Sequence, residues 1–292
     1  MFVSRVALAV ACCTALPCAA AGLLPVTVDV RARALAPGEP IRIDVVSDQP
    51  LVRLGGRFLD TPLFFVSVGD GRRWSGWSMI PLDREPGPAV VEVSGFGEGD
   101  RPAAGTRAVT IEPRRFPEEQ LSVAPKYVEP PPEVRERLAR ERDTVKALYA
   151  ARRPVVPSND AFLPPVPGEP TSVFGTRRLY NGKPRAPHPG LDLRAASGTS
   201  VISSGTGRVG LARDLYYSGN TVIVDHGGGL FTLYAHLSEI RVEAGDDVDA
   251  GQELGLSGAT GRVTGPHLHW GIKVTGARVD PFTLPGFIPV SD

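Results

Sequence analysis

Between residues 23 and 113, apolar and polar positions alternate in short runs. Pro25-Val26-Thr27-Val28-Asp29-Val30, Ile41-Arg42-Ile43-Asp44-Val45-Val46 and Val90-Val91-Glu92-Val93 place alternate side chains on opposite faces. A period of two predicts strands half-buried against a core. Pro-Gly and Gly-Asp clusters punctuate these runs, so residues 22–114 read as a small β-sandwich-like domain. The period then changes. Val134, Leu138, Val145 and Leu148 recur near helical spacing among Arg and Glu, which predicts one amphipathic helix over residues 133–151 with a solvated charged face. Pro130-Pro131-Pro132 precedes it, and Pro154, Pro157, Pro164, Pro165 and Pro167 follow in a stiff, extended stretch. Residues 115–169 therefore read as a connector. Beyond it, short β-like runs return at 199–203, 219–225, 230–235 and 269–274, separated by frequent glycines. Residues 170–288 read as a second all-β domain with many tight turns. The fold class expected of the chain is all-β.

Residues 1–21 stand apart from this scheme. A positively charged start ending at Arg5 leads into an apolar stretch from Val6 to Pro17, and Ala19-Ala20-Ala21 offers small residues for cleavage. This is the layout of a secretory signal peptide, so the mature chain is expected to be exported, to the periplasm or the cell exterior. The apolar stretch is shorter than the roughly 20 residues of a membrane span, and none is expected. A lipid-anchored start at Cys12, Cys13 or Cys18 is disfavoured, because Ala15-Leu16-Pro17 suits such a signal poorly.

Composition narrows the chemistry. All 3 cysteines fall in the leader, so the mature chain has no disulfide and no thiolate, and any metal site must be built from His and carboxylates. The 32 Lys and Arg balance the 32 Asp and Glu, so no net field favours nucleic acid or an anionic membrane. The region before residue 115 contains no histidine and no catalytic constellation. Its Trp74 and Trp77 suit core or domain packing better than surface ligand binding.

The 5 histidines, His188, His226, His236, His267 and His269, all lie in the second domain. In His188-Pro189-Gly190-Leu191-Asp192 the Pro-Gly pair opposes a helix, so a loop enters a strand and can let an imidazole and a carboxylate converge on one ion. Taken alone, the pattern also fits a solvated turn. His267-Leu268-His269-Trp270 opens a β-run, so the two histidines share one face while Leu268 and Trp270 face packing. Alone, that too could be an exposed pair. His236 and His226 each end a β-run, and spacing does not separate them; a structural, hydrogen-bonded role suits His226 better.

Several motifs in order resolve more than any one of them. Ser172-Val173-Phe174-Gly175, His188-Pro189-Gly190-Leu191-Asp192, Gly219-Asn220-Thr221-Val222, Tyr234-Ala235-His236-Leu237-Ser238, Gly258-Ala259-Thr260-Gly261 and Thr264-Gly265-Pro266-His267-Leu268-His269-Trp270 together resemble the lysostaphin-type, or LytM-type, zinc metallopeptidases. The likeness covers roughly residues 170–281. It implies a Gly-rich antiparallel β-domain and one zinc ion per chain bound by His188, Asp192 and His269. It implies His236 and His267 as catalytic histidines that do not bind the ion, whereas His226 matches no catalytic position. Asn220 and Tyr234 are candidate residues of a substrate groove.

The resemblance also implies the substrate class, peptidoglycan stem peptides, with hydrolysis of D-alanyl cross-links favoured because no wall-targeting module of the kind attached to glycine-bridge enzymes is recognisable. The competing expectation is a wall-binding protein that activates another hydrolase without cutting; a complete set of ligand residues argues against it. A third is an enzyme whose N-terminal domain or connector contacts and covers the catalytic groove.

Overall fold

The computed structural model describes residues 22–122, 125–151, 153–155 and 162–286. The expected signal peptide, Pro157 and the last two residues of the expected second domain lie outside them.

Seven strands open the chain: β1 (Leu24–Arg31), β2 (Pro40–Ser47), β3 (Leu51–Phe58), β4 (Thr61–Val68), β5 (Arg73–Met79), β6 (Gly87–Gly97) and β7 (Pro102–Ile111). The all-β class holds, but two stacked sheets are not what forms. The strands close into a barrel in the order β1-β2-β5-β4-β3-β6-β7, sealed by parallel pairing of β1 with β7. Closure removes the exposed sheet edges that a sandwich would leave. Small residues permit it: a Cβ on Gly105 of β7 would lie 2.7 Å from the Val26 carbonyl of β1. The interior is filled by alternate residues such as Ile43, Val45, Phe58, Val91 and Val93. Trp74 belongs to this core, and its indole N–H donates to the Gly71 carbonyl at 2.8 Å. Trp77 is buried instead against the core of the C-terminal sheet.

The connector holds more than a helix. Strand β8 (Glu118–Leu121) and a short turn of helix, α1 (Pro125–Val128), precede α2 (Arg135–Ala150). Helix α2 lays Val145, Leu148 and Tyr149 on a cluster formed by Leu211, Leu215, Ile223 and Phe231. Its outer face carries expected charges such as Glu136 and Arg140, while Arg137 and Glu141 reach the sheet side at Asp214 and the Tyr216 N–H.

The C-terminal strands are β9 (Pro170–Ser172), β10 (Arg177–Tyr180), β11 (Lys183–Pro184), β12 (Leu191–Leu193), β13 (Ser200–Ile202), β14 (Gly207–Leu215), β15 (Gly219–Gly227), β16 (Leu230–Ile240), β17 (Asp247–Val248), β18 (Glu253–Ser257), β19 (Leu268–Val274) and β20 (Ala277–Val279). The main sheet runs β17-β14-β15-β16-β19-β12-β9, antiparallel throughout. Connector strand β8 pairs in parallel with β10, so the connector is built into this half of the molecule.

Candidate metal centre and active site

The register of three strands assembles the site. Central strand β19 pairs His269 with Asp192 of β12 on one side and with Ala235 of β16 on the other. Leu268 and Trp270 turn the opposite way into the core, as the two-residue period requires. Close approach of β12 to β19 depends on Gly190: a Cβ there would stand 2.4 Å from the Trp270 carbonyl and 2.9 Å from His269 Nε2.

His188, Asp192 and His269 bring one donor atom each within 4.8 Å of one another. His188 Nε2 and His269 Nδ1 lie 3.0 and 2.7 Å from Asp192 Oδ1, and 3.1 Å from each other. A tetrahedral ion with bonds of about 2.1 Å separates its ligands by about 3.4 Å, close to this spacing. The protonation pattern also suits a cation. His188 Nδ1 donates to the Val173 carbonyl at 3.0 Å, which leaves Nε2 as the ring nitrogen facing the cluster. Burial raises the Asp192 pKa, but the neighbouring imidazoles of His188 and His269 outweigh it and hold the carboxyl well below its ordinary value. Burial pushes His269 down to about 4, keeping its imidazole neutral at pH 7. Two imidazoles and a carboxylate fit a divalent metal ion.

Two further histidines face this cluster. His236 sits at a bulge, where Ala235 and His236 oppose a single residue between Asn220 and Val222, and its φ is +66°. The strained backbone swings the ring out of the strand alternation. His236 Nδ1 donates to the Thr260 carbonyl and His267 Nδ1 to the Gly265 carbonyl, both at 2.8 Å. In each ring Nε2 is therefore the nitrogen left free of those backbone bonds. His267 Nε2 is 3.8 Å from Asp192 Oδ1, and the two rings are 4.9 Å apart. Burial, then repulsion from His269 and His267, lowers His236 to about 3.

The remaining sequence candidates fare differently. Tyr234 is fully buried, with its hydroxyl 2.7 Å from the Ser204 N–H and 2.9 Å from Thr232 Oγ1. The groove assignment for Tyr234 is therefore corrected: strand alternation sends this ring into the core. Asn220 is partly exposed; its Nδ2 donates to the Ser238 carbonyl and its N–H to Thr260 Oγ1, which steadies the loop holding His236. His226 is buried between the Thr206 carbonyl (2.9 Å) and Thr232 Oγ1 (2.7 Å), facing Phe162 rather than the cluster.

The structure adds residues that the sequence reading passed over. Arg178 Nη2 donates to Asp192 Oδ2 at 2.7 Å and to Ser172 Oγ at 2.9 Å, while its Nε faces Glu119 of β8 at 3.3 Å. The second oxygen of the candidate ligand is thus held by an arginine from β10 that is anchored in turn by the connector. An Arg beside the Ser172-Val173-Phe174-Gly175 motif was visible; its partner at position 119 was not.

Comparison with known proteins agrees with this geometry. The model of peptidase family M23 matches residues 186–281. An M23 peptidase crystal structure from Pseudomonas aeruginosa is 32% identical, with a TM-score of 0.65, and the alignment covers 87% of this chain and 96% of that one. The chain belongs to peptidase family M23. Two curated M23-like relatives are peptidoglycan DD-endopeptidases of Vibrio cholerae, ShyA at 48% and ShyB at 40% identity, each over 111 residues and 38% of this chain. The chain matches only 26% of the length of each. The M23 match embraces His188, Asp192, His236, His267 and His269, but stops short of Glu119 and Arg178.

Proposed function

We propose that this chain is an exported, zinc-dependent endopeptidase that hydrolyses peptide cross-links of bacterial peptidoglycan, with D-alanyl cross-links as its preferred bonds. The observation that carries the reading is the meeting of His188, Asp192 and His269 beneath two further imidazoles, His236 and His267, on one open groove. The names of ShyA and ShyB support the substrate class. Two imidazoles and one carboxylate would hold zinc with a ligand position to spare. When bound, the ion would supply Lewis acidity, polarising the scissile carbonyl and lowering the pKa of the attacking water towards about 7.

The protein's own groups do the rest. His236 and His267 each keep Nδ1–H committed to a carbonyl, so each offers Nε2 as the acceptor of a proton from the attacking water. One takes that proton. The imidazolium so formed stabilises the negative charge that develops on the carbonyl oxygen of the tetrahedral intermediate, with the other ring 4.9 Å away closing the site around it. The proton then passes to the departing amine.

Alanine at His236 or at His267 should spare metal stoichiometry but lower turnover of cross-linked muropeptides at least about 100-fold, the scale of one lost general acid–base group. Mass spectrometry of released fragments and metal analysis of the same samples check both halves. Full turnover after either change would remove the assignment. A zinc-loaded wild type that releases no fragment would point to the non-cleaving activator instead.

A further inference from the structure

We infer that Arg262 is a receptor for a free carboxylate of the peptide substrate, so that the groove selects anionic peptides over their amidated forms. The inference rests on the endopeptidase reading and names a feature of its substrate.

Arg262 lies on the loop between Thr260, which holds His236, and His267. It lines the same groove as His236, His267 and His269, a space of about 650 Å³. Its guanidinium carbon stands 4.9 Å from the ring centre of Tyr180 and 4.8 Å from that of Tyr217. Its backbone N–H is also tied to the Tyr217 carbonyl at 2.8 Å. Two rings and a backbone bond hold the side chain in place, so little rotamer entropy remains to be lost when a ligand arrives.

What the rings leave uncommitted is the hydrogen-bonding edge. Among the described residues no carboxylate pairs with Arg262. The contrast with Arg178 is direct: that guanidinium is spent on Asp192, Ser172 and Glu119. A planar fork of N–H donors, fixed at its faces and open at its edge, matches a carboxylate. The groove offers little acid to compete, since among the described residues its acidic lining consists of Glu119 and Asp192, and both already face Arg178. Position in the chain places the subsite beside the reacting centre, so Arg262 would orient the peptide without touching the scissile bond.

The test uses the zinc-loaded full-length mature chain and one cross-linked peptide dimer in three forms: all carboxylates free, side-chain carboxylates amidated, and the C-terminal carboxylate amidated. The readout is the ratio of kcat/KM between free and amidated forms. The wild type should favour the free form by about 10- to 100-fold, the range of a charge-assisted hydrogen-bonded pair. One of the two amidated forms should account for the loss and so identify the carboxylate. In Arg262→Met that ratio should collapse towards one, chiefly through KM. Arg262→Lys, which keeps the charge and loses the fork, should retain part of it and guards against a Met variant that fails to fold. An undiminished ratio in either variant, or a wild type indifferent to amidation, overturns the inference while leaving the endopeptidase reading intact. Cleavage of no form by the wild type removes both.

Discussion

At the scale of single residues, the site depends on which atom of each group is already committed. Asp192 divides its two oxygens: Oδ1 faces His188 and His269, and Oδ2 receives Arg178. Groups that orient a metal ligand from behind typically contribute about 10- to 100-fold to metal affinity. Arg178→Met should weaken zinc binding by that order, measured by competition with a chromogenic chelator, before any activity is assayed. An unaltered affinity would reduce Arg178 to a neutralising bystander. His226 makes a different point. Burial depresses it from 6.5 to about 4, so the folded state holds it neutral where the unfolded chain would protonate it. Its contribution is complete above about pH 6.5 and falls away as pH drops towards about 4, by a few kcal/mol in all. Urea midpoints of the wild type should decline over that window, and His226→Gln should flatten the difference. Because its partners, Thr206 and Thr232, lie outside the metal cluster, the effect should persist in the zinc-loaded protein.

At the scale of elements, the decisive feature is how closely β12 lies on β19. Leu191 pairs with Trp270 and Asp192 with His269, and Gly190 is the residue whose missing side chain allows it. Gly190→Ala would drive a methyl group into a backbone carbonyl, which cannot move as a side-chain tip can. The strands must part, and Asp192 with them. The expected outcome is loss of stoichiometric zinc together with a lowered Tm; normal metal content would show that the sheet can absorb the change. Gly190 was legible as part of a turn-forming Pro-Gly pair, but not as a contact with His269, because that contact joins residues far apart in the chain. The bulge at His236 was hidden for a similar reason: it is a mismatch between β15 and β16, not a property of either strand.

At the scale of the molecule, the barrel and the C-terminal sheet share a buried ion cluster. Glu39, beside β2, and Asp280, after β20, are both buried, and Arg33 and Arg114 bridge them. Arg114 spans the pair, with Nη1 2.8 Å from Glu39 Oε1 and Nη2 2.6 Å from Asp280 Oδ2. Removing one partner of a buried pair leaves charge uncompensated and costs about 3–5 kcal/mol. Arg114→Ala should lower stability by up to that amount, and calorimetry should resolve separate unfolding of barrel and sheet where the wild type is expected to give one coupled transition. A single unchanged transition would show that Arg33 and the packing of Trp77 suffice to couple them.

The sequence by itself determined the all-β class, the strands with clean alternation, the helix over residues 133–151 and the five polar residues that converge. Periodicity and motif order are local properties, and local physics writes them into the chain directly. Tertiary structure alone decided the closure of the barrel, the burial of Tyr234, the bulge that turns His236, and the recruitment of Glu119, Arg178 and Arg262 to the groove. Each of these depends on strand register or on contacts between distant segments. Such contacts are selected by the summed burial of whole strands, which no short window of residues contains.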